Sequence, residues 1–268
     1  DHAAHGHAGH DASHVALHSA VDGNWRSEDA RARDQYRHPA QTLAFFGVKP
    51  THTVVEITPG GGWYADILAP YLRESGSYIA AVVDPMSVAE GRARDYQQRA
   101  RDGLQKKFDA DAAHFDRAQI VGFDPAAPVF GKPGSADVVL TFRNLHNWYI
   151  AGGEEAMLTA FAHFYTALKP GGVLGIVEHR LPESKLDSDW TRSGYMPESL
   201  TIKLAEQAGF TLEARSEINA NPKDTADHPN GVWTLPPSLR LGDQDREKYL
   251  AIGESDRMTL KFRKPATP

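Results

Sequence analysis

The stretch VVEITPGGGWYADILAPYL, Val54 to Leu72, decides the fold. A β-branched apolar run gives way to three consecutive glycines, and an aromatic-led segment with helical apolar spacing follows. Bare backbone between a strand and a helix lets a ligand come close, and the amides at a helix start favour a negative group. A tight turn with no ligand is the plainer reading of three glycines, so the flanking sequence has to decide.

Outward from this stretch the chain alternates. Thr53–Ile57 reads as a buried strand and Trp63–Glu74 as a helix that closes near Gly76. Tyr78–Val83 is a second strand, and a polar helical stretch runs from Met86 to about Phe108. Gln119–Phe123 and Ala136–Phe142 are the third and fourth strands. Gly153–Leu168 is helical, and LKPGG then turns the chain into a fifth strand, Val173–Glu178. This alternation predicts an α/β fold with a doubly wound, mostly parallel seven-stranded sheet and helices on both faces.

The ends differ in character. Residues 1–20, DHAAHGHAGHDASHVALHSA, are rich in His, Ala and Gly and predict a flexible or loosely docked tail. Residues 21–50 form a helical cover, with the helical pattern of Ser27–Phe46 split by Pro39 and ended by Gly47. The main α/β domain then spans residues 51–268. Within it, Pro197–Ala208 is a helix capped by Gly209, Phe210–Ser216 a strand, and Arg257–Arg263 the last strand. Residues 219–253, irregular and rich in Pro, Asn and Asp, read as a lid insertion that carries Trp233.

Composition removes several classes of function. The 268 residues carry a formal charge of −6 with scattered Lys and Arg, which argues against a nucleic-acid partner. No apolar run reaches bilayer length, so no membrane insertion is expected. Cysteine is absent, which excludes thiol nucleophiles, disulfides and thiolate metal sites. The Asp at position 1 and the lack of Cys raise the expectation of an exported, periplasmic protein, with a cytoplasmic one as the alternative. His2, His5, His7 and His10, with His14 and His18 behind them, are spaced closely enough to capture Cu, Ni or Zn ions. A solvated tail is the plainer account of them.

EITPGGG resembles the acidic-x-Gly-x-Gly-x-Gly first motif of the class I S-adenosylmethionine-dependent methyltransferases. Asp84, ending YIAAVVDP, stands where that superfamily places the acid that binds both ribose hydroxyls. VGFDP puts Asp124 at the position near the adenine amino group. SADVVLTFRNLHNWY looks like the fourth-strand motif, and ALKPGGVLGIVEHR like the helix-turn-fifth-strand signature. The order and spacing of these motifs, from about Thr53 to Glu178, carry the resemblance. It implies a Rossmann-like methyltransferase fold with S-adenosylmethionine as cofactor and S-adenosylhomocysteine as product. The implied cofactor site comprises Glu56, Thr58, Pro59, Gly60, Gly61, Gly62, Asp84, Pro85, Met86, Phe123, Asp124, Thr141 and Arg143. Glu56 would face the ammonium group of the ligand, and Phe123 and Met86 would sandwich its adenine ring. Thr58 replaces the usual first glycine. Threonine suits a strand end without a positive φ, so only a small loop adjustment is expected.

TFRNLHNWY follows the fourth strand and should line the reaction edge. Arg143 offers a planar fork to a carboxylate, Asn144 both a donor and an acceptor, and His146 a general base of near-neutral pKa. Loop anchoring by side chain–backbone bonds is the bland alternative for all three. The stretch lacks the Asn/Asp-Pro-Pro-Tyr/Phe signature of enzymes that methylate nucleic-acid bases. Glu178 and His179 end the fifth strand, where they would bind or deprotonate an acceptor or, the preferred reading, join an ionic network with Arg180. Tyr64, Trp148, Tyr149 and Trp233 are candidates for an acceptor pocket, with a core role as the alternative.

The expected function is therefore methyl transfer from S-adenosylmethionine to a small-molecule acceptor. A catalytically silent methyltransferase-like binding protein with a metal-binding His-rich tail remains an alternative. So does an NAD(P)-dependent oxidoreductase, although its fingerprint at Gly60, Gly62 and Ala65 fits poorly because Thr58 and Pro59 intervene after the strand.

Overall fold

A computed structural model describes the backbone of residues 2–267 and the side chains of residues 12–267. The chain divides into two compact units, Asp1–Leu140 with Ala167–Lys169, and Thr141–Thr166 with Pro170–Pro268.

The first unit opens with helix α1 (His2–Val21). Leu17, Ala20 and Val21 are buried, and α1 packs against the later helices α4 (Pro39–Phe46) and α5 (Ala65–Leu72). Its last turns are thus docked, where the sequence suggested a loose tail: apolar residues at helical spacing give it one face to bury. The short helices α2 (Glu28–Ala32) and α3 (Asp34–Arg37) follow. Ser27 caps α2 by accepting the Ala30 amide at 3.1 Å. Pro39 opens α4, and Gly47 closes it in the left-handed conformation at φ +73°.

Strands β1 (Thr53–Ile57), β2 (Ser77–Val83), β3 (Gln119–Phe123) and β4 (Ala136–Phe142) lie in the order β3-β2-β1-β4. β1 is buried on both faces from Val54 to Ile57, as its unbroken β-branched run requires. β2 pairs in parallel with β1 and with β3, setting Ile57 beside Ala81 and Val83 beside Phe123. The chain therefore leaves all three strands at one edge, at Thr58, Asp84 and Asp124. Helices α6 (Arg92–Ala110) and α7 (Ala112–Phe115) bridge β2 to β3.

The second unit takes up the chain at Thr141. Helix α8 (Leu145–Ala167) is broken at Gly152 and Gly153, the latter at φ +67°, so a short helical piece from Leu145 precedes the one the sequence indicated. Strand β5 (Leu168–Leu181) begins earlier than expected. The Gly171 amide donates to Lys264 O at 2.9 Å, which draws the Pro-Gly-Gly segment into pairing instead of leaving it as a free turn. Next come β6 (Met196–Pro197), α9 (Glu198–Gln207), β7 (Thr211–Ser216), α10 (Arg246–Ile252) and β8 (Arg257–Arg263). β8 lies antiparallel between β5 and β7.

The fold is α/β with eight mostly parallel strands, not seven; the addition is the two-residue β6, parallel to β5. Residues 219–253 are also less irregular than their composition suggests. They include α10 and a 3-10 turn at Gly231–Thr234, and the Asn221 side chain ties the insertion down by donating to Ile252 O and Glu254 O, both at 2.7 Å. Among the described residues, no helix is long and apolar enough to cross a membrane.

Candidate functional site

In the first unit the glycine triplet divides its labour. A Cβ added to Gly60 or Gly61 would meet nothing within 4 Å, so both face open space. A Cβ on Gly62 would come within 3.1 Å of Leu104 and 3.2 Å of Lys107, so the third glycine lets the loop close on α6. Thr58, after β1, has φ +49°, contrary to the sequence-based expectation. It holds the left-handed geometry usual for glycine, a strained state for a β-branched residue. Its amide donates to Ala81 O at 2.8 Å, which fixes the loop against β2.

Asp84, half-buried after β2, accepts the Met86 amide at 3.0 Å through Oδ1, and so caps the 3-10 turn Pro85–Ser87. Its Oδ2 has no partner among the described residues. Gly122 of β3 faces it: a Cβ there would sit 3.3 Å from Asp84 Cβ and 3.0 Å from Arg101 Nη1. The sequence reading passed over this glycine, although a bare residue two before Asp124 signals close approach. Asp124 is exposed and accepts the Ala126 amide at 2.9 Å, an ordinary turn.

Two expected cofactor contacts look different in the structure. Glu56 is buried, and its Oε1 accepts the Tyr78 hydroxyl at 2.6 Å, so this acid is engaged inside the protein. Burial, and then the Glu56 carboxylate, push the Tyr78 phenol well above its ordinary pKa. Phe123 is also buried, packed edge to face against Phe130 at 4.9 Å, whereas Met86 is 70% exposed. Only Met86 of that pair is on the surface. Tyr64, read as a pocket wall, is likewise a core residue, 3% exposed and packed on Trp63 at 4.9 Å.

In the second unit the segment after β4 meets the end of β5. Glu178 is fully buried, and its carboxylate accepts the His146 amide at 2.8 Å, His146 Nδ1 at 3.0 Å and the His179 amide at 2.8 Å. An ionised carboxylate can only accept, so Nδ1 carries the shared proton, and in the neutral imidazole the lone pair lies on Nε2. His179 Nδ1 lies 2.5 Å from Ser255 Oγ. The network with Arg180 forms without either residue: Arg180 pairs with Glu217 at 2.7 Å, Asp256 at 3.0 Å and Glu198 at 3.4 Å. Glu178 and Arg180 stand two apart on β5, and their different partners set them in different clusters.

Around this core, Arg143 takes φ +54° with its amide donating to Val177 O at 2.7 Å. Thr141 Oγ1 and Asn144 Nδ2 are buried polar atoms without a hydrogen-bond partner, the signature of groups awaiting one. The Asn144 Oδ1 accepts the Asn147 side chain at 3.2 Å. Trp148 is buried, and Tyr149 packs on Trp190 at 5.0 Å. Trp233 meets His146 edge-on at 5.8 Å and also lines a cleft of about 500 Å³ with Trp190, Arg192, His228 and Arg240. The sequence reading found Trp233 but missed Trp190, Ser255 and Arg240, whose polar surroundings carry no motif. His2, His5, His7 and His10, the candidate metal ligands of the tail, lie outside the residues whose side chains are described.

No family model matches the sequence, and no curated protein matches it. Solved structures do. A protein from Aquifex aeolicus, described as a SAM-dependent methyltransferase, superposes with a TM-score of 0.57 at 14% identity, over 87% of this chain and 93% of its own. A 4+2 cyclase, SpnF, gives 0.54 at 15% identity, over 85% and 82%. The trans-methyltransferase CalH, in complex with S-adenosylhomocysteine, gives 0.51 at 16% identity, over 88% of this chain and 58% of its own. The open glycine loop, the strand-end acids and this likeness agree: the chain has the fold of the class I S-adenosylmethionine-dependent methyltransferases.

Proposed function

We propose that this protein is an S-adenosylmethionine-dependent methyltransferase that acts on a small-molecule acceptor by in-line transfer. The observation that carries the reading is the open backbone of Gly60 and Gly61 at the edge where β1 and β2 deliver Thr58 and Asp84. A nucleoside-bearing ligand fits there, because side-chain bulk is missing where it must approach and a carboxylate oxygen awaits donors beside it. When bound, S-adenosylmethionine supplies a methyl group already activated on a sulfonium. The work left to the chain is positioning and exclusion of water.

Asp84 takes the ribose hydroxyls on Oδ2, while its Oδ1 stays on the Met86 amide. Met86 offers apolar surface to the base, and the backbone of Pro59 to Gly62 lets the rest of the cofactor come close. In the second unit, Glu178 orients His146 so that Nε2 can accept a proton from an acceptor hydroxyl or amine. Asn144, with its unmatched Nδ2, donates to an acceptor oxygen, and Arg143 adds a cation. The small-molecule assignment is supported by the net charge of −6 and by the cleft lined by Trp190 and Trp233.

The reading is tested by thermal unfolding with candidate cofactors. S-adenosylhomocysteine is expected to raise the melting temperature and NADH to leave it unchanged. Stabilisation by NADH alone would reject the proposal in favour of an oxidoreductase. Conversion of S-adenosylmethionine to S-adenosylhomocysteine across a panel of hydroxyl and amine acceptors then separates an enzyme from a silent binding protein.

A further inference from the structure

We propose that His146, Glu178 and His179 form a binding site for a divalent first-row transition ion. One ligand atom from each of these three residues lies within 4.8 Å of the other two, and all three residues are buried. The inference is independent of methyl transfer, since it rests on this donor set alone.

The chemistry of the set is selective. Two imidazoles and one carboxylate, with no thiolate, suit Zn(II), Co(II), Ni(II) or Fe(II) rather than the all-oxygen shells preferred by Mg(II) and Ca(II). Three protein ligands also leave coordination positions open to water or a substrate atom. His146 Nδ1 and Glu178 Oε1 stand 3.0 Å apart. That is the separation of neighbouring ligands at right angles on an ion with bonds of about 2.1 Å. The ion takes the place of the proton these atoms share, and that proton leaves to solvent.

The surroundings supply what a metal histidine needs. His179 Nδ1 is held by Ser255 Oγ at 2.5 Å, which orients the ring, and Ser255 is itself anchored by Arg257 Nε at 3.1 Å. Arg257 pairs with His179 across the β5–β8 ladder, but its charge is matched by Glu254 at 2.7 Å. The Glu178 carboxylate, held by the His146 and His179 amides, is the negative group an incoming cation meets. Trp233, packed edge-on to His146, also lines the open cleft and so puts the cluster beside a route from solvent. With an ion in place the His146 lone pair on Nδ1 is committed to it, and the imidazole turns its Nε2–H outward as a donor instead of a base.

The test uses the full chain with the six histidines of residues 1–18 replaced by Gln, so that the tail contributes nothing. Titration with Co(II), followed by its visible absorption and by calorimetry in two buffers of different ionisation enthalpy, is expected to show one ion per chain and one proton released. Adding His179→Asn or His146→Asn should weaken binding at least about 100-fold, and Ser255→Ala, which removes only the orienting partner, about 10–100-fold. Far-UV circular dichroism checks that each variant is folded; should a histidine variant unfold, the Ser255→Ala result decides. Absence of Co(II) uptake in the tail-substituted chain overturns the proposal, as does uptake that Ser255→Ala and the histidine variants leave unchanged.

Discussion

Thr58 stands at φ +49°, a conformation that favours glycine. A left-handed conformation costs an L-residue about 1–2 kcal/mol, partly offset here because glycine would lose about 0.5–1 kcal/mol more chain entropy on folding. Thr58→Gly is therefore expected to stabilise the protein by up to about 1 kcal/mol in urea unfolding, and Thr58→Val to give no gain. A clear loss of stability in Thr58→Gly would show that the threonine is not strained. The substitution was visible in the sequence, but its conformation was not. Which residue absorbs a positive φ depends on where the loop must meet Ala81 O, a tertiary demand that overrides local preference. Glu178 teaches the same lesson from the other side: neighbours in sequence, Glu178 and Arg180, belong to different clusters, because what a buried acid meets is set by the segment packed on its face.

At the scale of elements, most strands were legible because β-branched runs bounded by Gly, Pro or Asp have one plausible reading. β1, β3, β4 and β8 fall where the sequence put them. The pieces that escaped lack such a signal: β6 is two residues, and α10 is a short polar helix inside a Pro- and Asp-rich stretch. The N-terminal cover is held by Trp63, whose Nε1 donates to Ala30 O at 3.0 Å while Arg26 and Arg37 lie over its ring at 5.0 and 4.7 Å. One hydrogen bond and two cation–π contacts sum to about 2–3 kcal/mol. Trp63→Ala should lose about that much stability and speed proteolysis within residues 21–50; unchanged proteolysis would contradict the clamp.

The insertion carries its own pH dependence. Burial alone would raise the Asp224 pKa, but hydrogen bonds from His228, the Asp256 and Ala226 amides and Tyr195 outweigh it and hold the carboxyl below its ordinary value. A depressed folded pKa means that Asp224 contributes its full stabilisation above the unfolded value of about 3.9, and loses it as pH falls through the folded value. Asp224→Asn should therefore be less stable than the native chain at neutral pH, with the gap narrowing below about pH 4. Parallel stability curves down to pH 2 would contradict this assignment.

On the scale of the whole molecule, fold and function separate. The same architecture at similar likeness is borne by a cyclase as well as by methyltransferases, so the fold alone does not assign a reaction. What the sequence made legible was the proposed cofactor edge, because parallel strands bring their C-terminal residues together by register: Thr58, Asp84 and Asp124 needed no side-chain detail to be grouped. The proposed acceptor side was less legible, since Trp190, Arg240 and Ser255 come from segments without periodicity or motif and are assembled by the fold of the second unit.

The central claim is that the Gly60–Gly62 turn and Asp84 receive an adenosyl group. Isothermal titration of S-adenosylhomocysteine into the native chain and into Asp84→Asn tests it most directly, since Asn keeps the oxygen that caps the Met86 amide and loses the acceptor meant for ribose. The account predicts one site per native chain and at least about tenfold weaker binding in the variant, the loss of one or two good hydrogen bonds. Equal affinity in both proteins, or no heat of binding in the native chain, would contradict it.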